Sequence, residues 1–340
     1  MKKVLVYGTL GPSCRDLETL KAMFREGMDG VRLNLSHTTL DEANDLIKAC
    51  HRAAFECGIT PELLIDMQGP ELRIGVLNAP VLLISGDLME IDSIPFPPEV
   101  QQILMDTPVG QEVLLDDGKL LLKTEKPLSG RCLQLRVIRG GLLESRKSLA
   151  LPGCRIHVPA MTESDREQIR KAKHFGVTAV MQPFVRSKED LIEVRRALDE
   201  AGARDIRLFA KIENQAGIDR LRELIPCCDE IVIARGDLGN AMELWELPAA
   251  QKYISSVCRS AGRAFMVVTQ MLDSMTHRQV PTRAEVSDIF NAVLDGASSV
   301  MVTGETAAGE YPALAIRYLS KTVREAEAYR DHPDPEPDGL

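Results

Sequence analysis

Two stretches decide the fold: LFAKIEN, from Leu208 to Asn214, and EIVIARGD, from Glu230 to Asp237. Each is an apolar run of strand length that ends in charged residues, the form of a parallel strand buried on both faces with a polar C-terminal end. Six further stretches share it: VLVYGTL from Val4, GVRLNLS from Gly30, LLIDMQ from Leu63, AVMQPF from Ala179, AFMVVTQ from Ala264 and SVMVTGE from Ser299. Helix-period segments alternate with them, for instance Leu17 to Phe24, Leu40 to Phe55, Leu191 to Leu198, Ile289 to Leu294 and Leu314 to Ala326. Eight strand-then-helix units predict an α/β chain closed into a (β/α)8 TIM barrel. Helix starts are marked locally by the hydroxyl-to-carboxylate spacing of a capping box at Thr162–Asp165 and Thr282–Glu285, and by Ser187 at an N-cap position.

Between Gly75 and Pro152 the rhythm changes. No helix-period stretch is read there, only strand-like pieces (VLLIS, LLLKTE, CLQLRVI) with turn signals at Asp116-Asp117-Gly118 and Gly140-Gly141. This predicts a small β-barrel-like domain over residues 76–152, inserted after the third strand of a barrel built from residues 1–75 and 153–330. The tail, residues 331–340, is acidic and proline-rich with nothing to bury, and is expected to be disordered.

Composition narrows the function classes. The formal net charge is −9, with both signs scattered, so no basic stripe exists to neutralise a nucleic-acid backbone. The apolar runs are far shorter than the roughly 20 residues needed to span a bilayer. Eight cysteines show no paired CxxC spacing and no signal peptide is read before Val4, which points to a reducing cytoplasm.

In such a barrel the active site forms at the C-terminal ends of the strands. The polar residues there are Arg32, Asn34 and Ser36 after strand two, Asp66 and Arg73 after strand three, and Lys211 and Glu213 on strand five. Strand six ends in Asp237, strand seven in Thr269 and Gln270, strand eight in Thr303 and Glu305. Glu213 and Asp237 are two carboxylates on neighbouring strands, the donor set that a hard divalent cation takes while keeping positions for substrate oxygens. Lys211 falls on the same side of an extended strand as Glu213, where its ammonium can stabilise an oxyanion or a phosphoryl group in transfer. Arg32 can clamp a phosphate bidentately. His37 reads as a structural hydrogen-bonder, His157, His174 and His277 have no sequence partner, and Met181, Met266, Met271 and Met301 read as packing rather than ligands.

The motifs TLGPSC, GMDGVRLNLSH, IDMQGPELRIG, LLDDG, AKIEN, ARGDLG, TQMLDSM, PTRAEVSD, NAVLDGA and TGETAAGEYP, in this order, resemble the pyruvate kinase family from Val4 to Tyr329. The resemblance implies phosphoryl transfer from phosphoenolpyruvate to ADP in glycolysis, giving pyruvate and ATP, with Mg²⁺ (or Mn²⁺) and K⁺. It implies that Arg32 binds the phosphoryl group, that Lys211 stabilises the transition state, that Glu213 and Asp237 hold Mg²⁺, and that Gly236, Asp237 and Thr269 receive the substrate carboxylate. Asn34, Ser36 and Asp66 match potassium ligands. Arg73 and Lys147, with Asn34, match residues on the nucleotide side, and Asp117 matches a residue that meets the barrel when the inserted domain closes as a lid.

Several positions depart from the family pattern. Met67 and Gln68 replace a threonine and a lysine, Pro183 replaces a serine, Ala150 follows a retained Lys147, and the inserted domain is short. Glu71 favours a K⁺ requirement whereas Gln68 resembles members without one. The chain ends after the eighth helix, so a C-terminal effector domain and its sugar-phosphate allostery are expected to be absent, and a homodimer would form through the barrel. Two other readings remain open at this level: a non-catalytic phosphoenolpyruvate-binding descendant, and a metal-dependent enolate lyase on the same barrel.

Overall fold

The computed structural model describes residues 3–116, 118–125, 133–154 and 159–332. Asp117, His157 and most of the tail therefore lie outside the described residues. The chain forms two compact units, one of Met1–Gly69, Ala160–Leu238 and Glu246–Leu340, the other of Pro70–Pro159 with Gly239–Trp245. The second unit thus takes in residues 70–75, 153–159 and a short segment after the sixth strand, all of which the sequence reading had placed with the barrel.

The first unit is a closed barrel of eight parallel strands: β1 (Leu5–Thr9), β2 (Gly30–Asn34), β3 (Glu62–Asp66), β4 (Ala179–Gln182), β5 (Arg207–Ile212), β6 (Glu230–Ala234), β7 (Ala264–Val268) and β8 (Ser299–Val302). Each pairs with its sequence neighbours and β1 closes on β8. Alternate residues of each strand face inward. Tyr7, Leu64, Met181, Phe209, Val232, Met266, Val268 and Met301 fill the interior as one apolar cluster. Burying side chains of this size contributes about 1.5–3 kcal/mol each. The same alternation puts Glu62 and Asp66 on either side of Leu64, and Arg207 and Lys211 on either side of Phe209. Charged residues therefore cap the apolar interior at both ends of the same two strands.

Thr162 and Thr282 accept from the Asp165 and Glu285 amides as N-caps, and both carboxylates reach back to the cap backbone. Ser187 stands at the N-cap of helix Lys188–Glu200, with its own N–H donating to Asp190. No helix among the described residues is long and apolar enough to cross a membrane.

The second unit has its own apolar core, including Ile74, Ile94, Phe96, Val113, Leu122 and Val137. Its strands form an open five-stranded antiparallel sheet, Leu149–Ala150, Glu112–Leu115, Leu120–Glu125, Gln134–Arg139 and Leu88–Glu90 in spatial order, plus a ribbon of Val81–Leu83 with Gly141–Leu143. Among the described residues this is not a closed barrel. A helix, Pro98–Asp106, also corrects the all-strand reading of this region. Its signal is hidden in PFPPEV: Pro98 reads as a breaker, yet in the first helical turn a proline loses no hydrogen bond, and Val100 and Leu104, one turn apart, bury the inner face.

Candidate active site

The C-terminal end of the barrel gathers Arg32, Asp66, Lys211 and Glu213 into one buried ion cluster. Asp66 Oδ2 accepts from Arg32 Nη2 at 2.7 Å and Nε at 3.0 Å, and stands 3.1 Å from Lys211 Nζ. Lys211 Nζ is also 2.8 Å from Glu213 Oε1. Glu213 Oε2 accepts the Phe184 N–H at 2.7 Å, which ties the ends of β4 and β5 together. The strand register explains the convergence: in-register pairing sets Asn34 beside Asp66, with Arg32 one inward step below.

Burial and charge work against each other here. Burial would raise the Asp66 carboxyl, but the Lys211 ammonium and the Arg32 guanidinium outweigh it and hold Asp66 below the usual carboxylate range. Burial would likewise lower Lys211, and Asp66 and Glu213 reverse that, so it stays a firm cation. Glu213 is the exception. Burial, reinforced by the charge of Asp237 and only partly opposed by Lys211, pushes it up to about 7. The Asp237 charge thus raises the proton affinity of Glu213, as one carboxylate does to another near it. Among the described residues there is no group of three or more His, Cys, Asp or Glu that could hold a metal ion.

A buried oxygen at this end, Asp66 Oδ1, makes no hydrogen bond among the described residues, whereas Glu213 Oε1 has only the Lys211 ammonium at 2.8 Å. Buried acceptors without donors cost free energy unless something else satisfies them. Asn34 Oδ1 accepts the Ser36 N–H at 3.2 Å, which turns the chain after β2.

Thr269 and Gln270, just past β7, have φ of 77° and 54°. A β-branched residue in the left-handed region stores on the order of 1–3 kcal/mol, so the surroundings must hold it there. Arg235 does so. Its Nε and Nη2 donate to the Thr269 carbonyl at 3.1 and 2.8 Å, Nη2 to the Gln270 carbonyl at 3.2 Å, and Nη1 to Asp288 Oδ2 at 2.5 Å. Next to it Gly236 lets Thr269 approach: a Cβ there would stand 3.0 Å from Thr269 Cγ2. The loop after β8 is fixed by buried Glu305, which accepts the Leu272 and Thr303 N–H groups at 3.0 and 2.7 Å.

In the second unit Arg73 and Lys147 lie on paired segments, with a bridge between Arg73 and Ser148 and the Ile74 N–H donating to the Lys147 carbonyl at 3.0 Å. Arg73 is held by Glu71 at 2.9 Å, and Lys147 by Asp116 at 3.0 Å.

Sequence reasoning missed Thr9, Arg235 and Asp288. Thr9, buried in β1, lies 3.4 Å from Arg32 Nη1 and donates to the Val302 carbonyl at 3.1 Å. Its place at the end of a barrel strand was a signal available to that reasoning. Arg235 had one too, as the charged residue of ARGD closing an apolar run.

The family profile described as "Pyruvate kinase, barrel domain" matches residues 1–316. The chain belongs to the pyruvate kinase family. It is 34% identical to the pyruvate kinase of Bacillus licheniformis, over 98% of this chain and 58% of the relative. It is 34% identical to that of Clostridium perfringens, over 100% of this chain and 75% of the relative, and 35% identical to that of Aeropyrum pernix, over 94% and 69%. Against the Bacillus protein the chain spans well under two thirds of the relative's length.

Proposed function

We propose that the chain transfers the phosphoryl group of phosphoenolpyruvate to ADP, giving pyruvate and ATP. The observation that carries this reading is the Arg32–Asp66–Lys211–Glu213 cluster: two largely buried cations ion-paired with two buried carboxylates at the mouth of a barrel. Arg32 holds the phosphoryl group, with Asp66 aiming its guanidinium. Lys211 sits beside the transferring phosphoryl, where its ammonium offsets charge in the loose transition state and on the enolate oxygen left behind. The Gly236 and Asp237 N–H groups and the Thr269 hydroxyl receive the substrate carboxylate, and Arg235 keeps Thr269 in the conformation that presents it. The P–O bond to the enol oxygen breaks, a new one forms to the terminal ADP oxygen, and the enolate takes up a proton to give pyruvate.

Glu213 and Asp237 are the residues that would hold Mg²⁺ or Mn²⁺, which when bound supplies further charge neutralisation for the phosphoryl oxygens. Asn34, Ser36 and Asp66 would hold K⁺; the donorless Asp66 Oδ1 fits that assignment. Arg73 and Lys147 are assigned to the nucleotide phosphates. The test is pyruvate formation from phosphoenolpyruvate and ADP with Mg²⁺, run with and without K⁺. Turnover in either condition supports the reading, and binding of phosphoenolpyruvate without turnover in both would reject it.

A further inference from the structure

The long segment of the second unit, Pro70–Pro159, leaves and re-enters the barrel unit through two connections, at Gly69–Pro70 and at Pro159–Ala160. One buried carboxylate holds the barrel side of both. Asp165, 1% exposed, accepts the Gln68 N–H at 2.9 Å and the Gly69 N–H at 3.0 Å on the outgoing side. On the returning side it accepts the Thr162 N–H and the Thr162 hydroxyl, each at 2.8 Å. Four donors converge on one carboxylate that, among the described residues, has no cation at hydrogen-bond distance, so removing it would orphan donors on both connections at once.

Two neighbours complete the clamp. Gln182 Nε2 donates to the Ala160 carbonyl at 2.7 Å, again on the returning side. Gly69 has φ of +59°, and a Cβ on it would stand 2.4 Å from Pro183 Cγ. Only glycine tolerates both conditions. Pro183, a departure from the family pattern, therefore serves as a wall against the outgoing turn.

We infer that Asp165 is the hinge pin of the inserted unit: a positioning residue that clamps both connections and fixes the turn that follows Asp66. This rests on the proposed function only for its kinetic consequence. Arg73 and Lys147 belong to the inserted unit, whereas Arg32 and Lys211 belong to the barrel, so a loosened hinge weakens nucleotide capture more than phosphoenolpyruvate capture.

The test is Asp165→Asn in the full chain, with Asp165→Glu as a second variant should the first fold poorly, and Glu305→Gln as a control carboxylate at the same barrel end. Amide hydrogen exchange at Gln68, Gly69 and Thr162 is expected to accelerate together, about tenfold or more, in both Asp165 variants and not in the control. KM for ADP is expected to rise at least about fivefold more than KM for phosphoenolpyruvate. Exchange that changes on one connection alone, or on neither, overturns the hinge pin whether or not the chain turns over. Absence of turnover in the parent chain rejects the proposed function and leaves the exchange result to decide the pin.

Discussion

The two ends of the barrel carry ion clusters built on the same strands, and they differ in how completely they are satisfied. At the N-terminal end the Tyr7 hydroxyl donates to Glu62 at 2.5 Å, Arg207 pairs with the same carboxylate, and the Ser299 hydroxyl donates to Glu230 at 2.7 Å. Arg207 also lies 5.0 Å from the centre of the Phe209 ring. No donorless buried oxygen is found in that cluster among the described residues. At the C-terminal end Asp66 and Gln182 each leave a buried oxygen without a donor, and Thr269 and Gln270 are strained at the same end. One end has its hydrogen bonds closed; the other keeps them open where substrate and cations would enter. Such incompleteness costs stability and persists where function uses it.

The comparison breaks most directly with matched substitutions on β5. On the proposed function Lys211→Met is expected to lower kcat by a factor of about 10²–10³, since it would remove charge stabilisation at the reacting centre. Arg207→Met, two side-chain layers down the same strand, is expected to leave kcat within about twofold and to lower stability by about 1–2 kcal/mol, because the half-exposed pair with Glu62 is partly screened. Steady-state kinetics and thermal denaturation of both variants check this. Equal loss of kcat in the two would mean that the ends are not functionally distinct.

Much of this division was legible beforehand. The barrel could be read from strand-length apolar runs because parallel strands buried on both faces need continuous apolar sequence, and the site from the charged residues that close those runs. What stayed hidden depends on side-chain reach and backbone conformation rather than pattern. Arg235 acts through carbonyls of another strand's loop, and the left-handed Thr269 has no sequence mark. Helix Pro98–Asp106 is masked by its own prolines. The Asp165 capping box was readable as a helix start, but its second use on Gln68 and Gly69 is non-local.

A second contrast concerns protons. Burial pushes Glu230 up to about 7, with the Ser299 hydroxyl and Arg207 only partly opposing it. Glu213 at the other end is raised to a similar value, chiefly by burial. A carboxyl raised in the folded state stays protonated while the unfolded chain has already released its proton above about 4.5. Its contribution to stability is therefore complete below that value and is lost as pH rises to about 7, a change of about 3 kcal/mol for Glu230. Denaturant unfolding between pH 4.5 and 7.5 in saturating Mn²⁺, which on the proposed function occupies Glu213 and removes its contribution, is expected to show this fall in the parent chain. The slope should be reduced in Glu230→Gln; an unchanged slope would place the proton elsewhere.

The strain at the open end gives a smaller effect. Arg235→Lys keeps a cation opposite Asp288 but cannot donate in a fork to the Thr269 and Gln270 carbonyls. Turnover is expected to fall about tenfold as Thr269 relaxes from its left-handed conformation, with thermal stability little changed because released strain offsets lost hydrogen bonds. A loss of stability with kcat intact would show that Arg235 serves the fold rather than the site.

The mildest test removes a single hydroxyl next to Arg32, the arginine to which the proposed function assigns the phosphoryl group. Thr9→Val is close to isosteric and leaves the Asp66 pair of Arg32 in place, so it deletes only the 3.4 Å contact to Nη1 and the bond to the Val302 carbonyl. A neutral hydrogen bond of this kind contributes about 0.5–1.5 kcal/mol. If Thr9 helps to aim Arg32 at the bound phosphoryl group before and during transfer alike, KM for phosphoenolpyruvate should rise about threefold to tenfold while kcat holds, the signature of uniform binding. If kcat falls instead with KM unchanged, Thr9 acts only as the phosphoryl group moves, and the open end of the barrel would extend its transition-state contacts one strand further round than the Arg32–Asp66–Lys211–Glu213 cluster.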